Sequence, residues 1–100
     1  MHKAAHQNYA PAMNNIGILM KEKGKFGKAL NWLIRAGDLG DGDAYFQAAK
    51  MLVSRNENIK TAISILEKAI LSDSITEAGL EDSRSLLRTL RSDFGHIKGG

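Results

Sequence analysis

Cysteine is absent from these 100 residues, and histidine occurs three times, at His2, His6 and His96. Disulfides, thiolate metal sites and cysteine nucleophiles are therefore excluded. The histidines lie at the chain ends without a His-Glu-x-x-His or comparable spacing, so they are read as surface residues, and no metal or cofactor is expected. Proline occurs once, as Pro11, which leaves long stretches free to be helical. No apolar run is long enough to span a bilayer. The opening MHKAAHQNYA has no hydrophobic core of the secretory kind. A strong excess of one charge is missing too. The formal net charge of +3 allows an acidic partner but falls well short of the basic footprint of a dedicated nucleic-acid binder. With 43% apolar residues the chain reads as one small domain over 1–100, near the lower limit for burying its own core.

What is present is helical periodicity. A first helix is predicted from about Ala10 to Lys23, with Met13, Ile16, Gly17 and Met20 on its apolar stripe. Pro11 is tolerated in its first turn, where the missing N–H has no intrahelical acceptor, and Gly24 ends it. A second, from about Phe26 to Leu39, carries Phe26, Ala29, Leu30, Leu33, Ala36 and Gly37, flanked by Trp32 and Ile34. After the Gly40-Asp41-Gly42 turn, with Asp41 as N-cap, a third runs from Asp43 to about Arg55. Asn58 is the expected N-cap of a fourth, Ile59 to Leu71. Ser74 and Glu77 read as a capping box for a fifth, whose regular part is expected only from near Leu80 because of Gly79. Ser83, Leu86, Leu87, Leu90 and Phe94 share its apolar face, and Gly99-Gly100 reads as a frayed tail.

These helices repeat. Met13, Ile16, Gly17 and Met20 recur in the third helix as Tyr45, Ala48, Ala49 and Leu52, all at one constant offset. Phe26, Ala29, Leu30, Leu33, Ala36 and Gly37 recur in the fourth as Ile59, Ala62, Ile63, Leu66, Ala69 and Ile70, at an offset longer by a single position. That difference places an insertion in the Ser54–Asn58 turn. Such a period marks an array of helix hairpins. Repeat one spans about 9–40 and repeat two 41–72, with a capping helix over 75–95 and the remnant of a preceding helix over 1–8. The seam lies between Lys28 and Leu52, where small residues let helix backbones approach.

Ile16-Gly17, Met20, Gly24, Phe26, Ala29, Leu33 and Ala36 resemble the signature of tetratricopeptide repeats. The linker RAGDLGDGDA, with KAAHQNYAPA upstream, is similar to the junctions of the Sel-one-like branch of that superfamily. The resemblance covers roughly residues 3–71; the second hairpin departs at Lys50 and Thr61 and has a longer turn. It implies an all-α fold, a right-handed superhelix of antiparallel helix hairpins, whose role is to hold a protein or peptide partner. It implies no chemistry. It also implies that the first helix of each hairpin lines a concave groove, which makes Asn14, Ile18, Lys21, Phe46, Lys50 and Val53 the candidate partner-binding residues. Asn14-Asn15 resemble the carboxylate-gripping type of groove, but Ile18 stands where that grip needs a polar residue.

Other clusters have plainer readings. Asp38, Asp41 and Asp43 lack the ligand alternation and distal glutamate of an EF-hand loop and read as a capped turn. Lys21, Lys23, Lys25 and Lys28 crowd the first hairpin turn, where Lys21 and Lys25 bracket Glu22. Arg84, Arg88 and Arg91 form a stripe away from Leu86, Leu87 and Leu90. Without a nucleophile and base in a recognisable arrangement, the chain is expected to be a non-enzymatic interaction module. Two alternatives are a free-standing neutralising or adaptor protein for one target, and a weak nucleic-acid binder using the lysine and arginine clusters. An uncovered first helix also suggests weak self-association through the 1–20 end.

Overall fold

The computed structural model describes residues 10–99, with side chains through residue 92. The expected remnant helix over 1–8, and the side chains of His2, His6, His96 and Phe94, lie outside this range. Among the described residues the chain forms five helices and no strand: α1 (Ala10–Glu22), α2 (Phe26–Asp38), α3 (Gly42–Ser54), α4 (Ile59–Ile70) and α5 (Glu77–Gly99). None of them is long and apolar enough to cross a membrane.

Neighbours in sequence pack on each other, α1 on α2, α2 on α3, α3 on α4 and α4 on α5, and α5 also reaches α3. One apolar cluster runs through all five, from Met13 through Leu33, Ala48, Ala49 and Leu66 to Leu90. Small residues set the spacing. Ala29, Ala36, Ala48, Ala49, Ala62 and Ala69 are all fully buried. At Gly17, a Cβ would lie 2.7 Å from Leu33 Cγ, so α1 approaches α2 more closely than any side chain allows. Met51 and Ile65 are buried in addition to the expected stripes. Helices α3 and α4 have packed neighbours on more than one side, so the arc they bury is wider than one stripe.

The turns within the two helix pairs share one hydrogen-bond pattern. Lys25 N–H donates to Met20 O at 2.8 Å, and at the matching positions of the second pair Glu57 N–H donates to Leu52 O at 2.9 Å. Gly24 has φ of +79°, and its counterpart Asn56 has φ of +53°. Asparagine is among the few residues other than glycine that tolerate this left-handed backbone. The register then slips. Ala29 N–H donates to Lys25 O, whereas Ala62 N–H donates to Asn58 O, one position farther along. Asn58 is thus the inserted residue. It precedes α4 as expected, but with φ of 44° and no side-chain cap bond. Its contribution is a second left-handed step rather than a hydrogen bond to the helix end.

The helix junctions stack on one another as well. Gly42 N–H donates to Ser74 O at 2.8 Å, Ser72 Oγ donates to Gly40 O at 2.9 Å, and Asp41 and Ser74 form an isolated bridge. The expected Ser74 capping box is therefore corrected: the Ser74 carbonyl serves Gly42, and Thr76 caps α5 by accepting from Gly79 N–H at 3.0 Å. Nor does Gly79 delay the helix, which begins at Glu77. Any Cβ at Gly79 would overlap the Asp43 carboxylate, which accepts from Thr76 N–H at 3.0 Å and Thr76 Oγ1 at 2.8 Å. The glycine leaves room for a clasp between the starts of α3 and α5. That helix continues to Gly99, past the expected end near 95.

Candidate functional site

The aspartates of the α2–α3 junction are each committed to the fold. Asp41, in extended backbone conformation, caps α3 by accepting from Ala44 N–H at 3.2 Å, as its position before the apolar period predicts. Its other oxygen accepts from Asn14 Nδ2 at 3.3 Å, which ties α1 to the start of α3. Asp38 accepts from the Tyr45 hydroxyl at 2.6 Å. Burial raises the Tyr45 pKa to about 12, helped by the hydrogen bond to Asp38 and by its negative charge. Asp43 holds Thr76. Three carboxylates that look like a ligand cluster in sequence thus point at three different sets of donors. Among the described residues no group of three or more His, Cys, Asp or Glu side chains could hold a metal ion.

The six groove candidates fall into distinct environments. Asn14 is half-buried and engaged with Asp41, and its Oδ1 is buried without a partner. Ile18 and Lys21, on the same side of α1, are half-buried. Phe46 and Val53 are half-buried and pack against the apolar core cluster. Lys50, one turn along α3 from Phe46, is exposed. Phe46 is therefore a shared residue, in part a wall of the core and in part surface.

The cationic clusters also separate. Arg84 and Arg88 are exposed on α5, while Arg91 pairs with Glu67 of α4. Between them Ile70, Leu87 and Ser92 line a shallow depression. Lys23, Lys25 and Lys28 are exposed at the α1–α2 turn, and the bracketing of Glu22 by Lys21 and Lys25 does not appear among the ion pairs of the described residues. Trp32 is half-buried, with the Arg35 guanidinium 5.3 Å from its ring centre.

Several surface features go beyond the sequence expectations. Leu39 and Leu71 follow the last residues of α2 and α4 and are 47% and 82% exposed. Their exposure depends on how the junctions stack. Ser83 is fully buried and its hydroxyl lacks a partner. Comparison of the chain with protein-family models, with curated proteins and with solved structures gives no match, and the functional reading rests on the residues themselves.

Proposed function

We propose that this chain is a non-enzymatic protein-interaction module, built of Sel-one-like hairpins of the tetratricopeptide type in a right-handed superhelix. The supporting observation is the repetition of hydrogen bonds along the chain. The Lys25–Met20 bond of the first helix pair returns as the Glu57–Leu52 bond of the second, and the Gly42–Ser74 and Ser72–Gly40 bonds link successive junctions at that same offset. Helical arrays of this kind spend their side chains on stacking and present an extended wall rather than a reactive pocket. The three aspartates of the α2–α3 junction, Asp38, Asp41 and Asp43, are consumed by a cap and clasps.

The wall proposed for the partner is the side of α1 and α3 that carries half-buried Ile18 and Lys21 on one, and half-buried Phe46 and Val53 with exposed Lys50 on the other, with Asn14 supporting it through Asp41. A segment with bulky apolar anchors and a carboxylate or two would complement it. Apolar anchors supply most of the energy, because an exposed ion pair is worth only about 0–1 kcal/mol. Phe46→Ala is expected to weaken partner binding by at least about 2 kcal/mol, roughly thirtyfold, and Lys50→Ala by less than about 1 kcal/mol. Because Phe46 also touches the core, the melting temperature should fall by a few degrees in the first variant and stay put in the second. Calorimetry with a captured partner, alongside thermal melts, reads both. Full binding by Phe46→Ala, or collapse of its fold, would remove the wall from consideration.

A further inference from the structure

The α1–α2 and α3–α4 turns lie side by side, because the Arg55 guanidinium sits 4.1 Å over the ring of Phe26. Phe26 opens α2 and Arg55 follows the last residue of α3. Around this contact the first turn exposes Lys23, Lys25 and Lys28. Among the described residues, the ion pairs are Arg55 with Glu57 and Arg91 with Glu67, and neither uses these lysines.

Helix electrostatics explain only the first of them. Lys23 lies just past the C-terminus of α1, where a cation meets the negative end of the helix dipole. Lys25 and Lys28 are placed the wrong way round. Lys25 is the N-cap residue of α2 and makes no side-chain cap bond, and the first turn of α2 holds no acidic residue. Cations at a helix N-terminus oppose its dipole, and lysine cannot accept the free N–H groups there. Helix α3 shows the favourable solution, with Asp41 as cap and Asp43 in the first turn. Helix α4, the counterpart of α2, also lacks a side-chain cap bond and an acidic first turn, but has no lysine at its cap.

We propose that the α1–α2 turn is an interaction surface for an acidic protein segment, gripped by Lys23, Lys25 and Lys28. Leu19, 46% exposed and one helical turn before Lys23 on the same side of α1, adds an apolar contact at its margin. A single-stranded nucleic acid fits the edge poorly, since its bases need a free aromatic face to stack on. Phe26, at the start of α2, has one ring face covered by Arg55 and packs against the apolar cluster, and Arg55 is itself paired with Glu57. The surface borders the Lys21 and Val53 end of the wall proposed above, whereas Phe46 lies toward the other end of α3, so a variant at Phe46 tells the two apart.

The test uses the full chain, with Lys25→Asp and Lys28→Glu made together. The probe is a short, labelled Glu-rich peptide carrying one leucine, followed by fluorescence anisotropy at low salt. The unaltered chain and the Phe46→Ala and Arg84→Glu variants should bind it. The double variant should bind about tenfold more weakly or not at all. Its thermal midpoint should nevertheless rise, because the new carboxylates cap α2 and complement its dipole. Gain of stability with loss of binding is the expected pair. Three results would overturn the proposal: no binding by the unaltered chain, unchanged affinity in the double variant, or a lowered midpoint. Tighter, steeply salt-dependent binding of a single-stranded RNA homopolymer would replace the acidic segment with a nucleic acid and overturn it too.

Discussion

Ala48→Glu is expected to remove most of the stability of the chain. Ala48 is fully buried in the apolar cluster, on the helix that touches α2, α4 and α5. A glutamate there has no cation within the cluster to pair with, and an uncompensated buried charge costs about 3–5 kcal/mol. A domain of this size has roughly 5–15 kcal/mol in all. The variant should therefore melt at a much lower temperature or fail to fold at neutral pH, and recover in part as acid protonates the carboxyl group. The control is two positions away. Lys50 is exposed on the same helix, so Lys50→Glu should shift stability by no more than about 0.5 kcal/mol. Thermal melts of the pair decide the register of α3. Equal melting temperatures would mean that the buried face of this helix has been assigned wrongly.

Gly37→Ala comes next in size, although alanine is the better helix former by about 1 kcal/mol. A Cβ at position 37 would overlap the Tyr45 ring, which is buried between α2 and α3. The ring cannot retreat without giving up the 2.6 Å hydrogen bond from its hydroxyl to Asp38. Overpacking costs about 1–3 kcal/mol and a lost bond to a charged group about 1.5–3 kcal/mol, so a net loss of roughly 2–4 kcal/mol is expected. Denaturant melts measure the loss, and titration of the phenol locates it. In a Tyr9→Phe background Tyr45 is the sole tyrosine of the two in the chain. Its ionisation, at about 12 in the parent, should move back toward the ordinary 10. In the parent the raised value stabilises the fold fully below pH 10, and that contribution disappears as pH climbs toward 12. An unshifted titration with unchanged stability would show that the ring has space to move.

Much of the architecture was open to reading because its determinants are local. Gly24 ends α1, Asp41 caps α3, and the apolar stripes of α1 and α2 return in α3 and α4 with a single insertion between them. Local pattern misleads where a residue answers to something distant in sequence. Ser74 looks like an N-cap, but its carbonyl is held by Gly42, so the cap falls to Thr76. Gly79 looks like a helix breaker, yet it makes space for Asp43, which lies at the start of a helix two elements earlier. Asn58 is the N-cap residue of α4 as expected, but its side chain makes no cap bond and its backbone takes a left-handed step.

The candidate site was legible in the same uneven way. Periodicity places Phe46 and Val53 beside the buried stripe of α3, but only the packed helices decide how far they turn inward, and both touch the core. Asn14 reads as a groove residue, and its partner Asp41 lies in a junction beyond the whole of α2. The lysine turn is visible in the sequence as a charge cluster. Its conflict with the N-terminus of α2 emerges only from the structure, in which Lys25 is the cap residue.

Hydrogen exchange at three amides tests most directly whether the two helix pairs form one stacked unit. Leu33 reports on α2, Leu66 on α4, and Gly42, bonded to Ser74 O at 2.8 Å, on the junction between successive repeats. Leu33 and Leu66 are both fully buried, so their amides open only when their helices do. Stacking in register predicts that Leu33 and Leu66 exchange with one opening free energy, equal to that of global unfolding in denaturant, with Gly42 close behind. If Leu33 opens at a free energy lower than Leu66 by more than about 1 kcal/mol, the pairs unfold separately and the repeats are neighbours rather than a single stack.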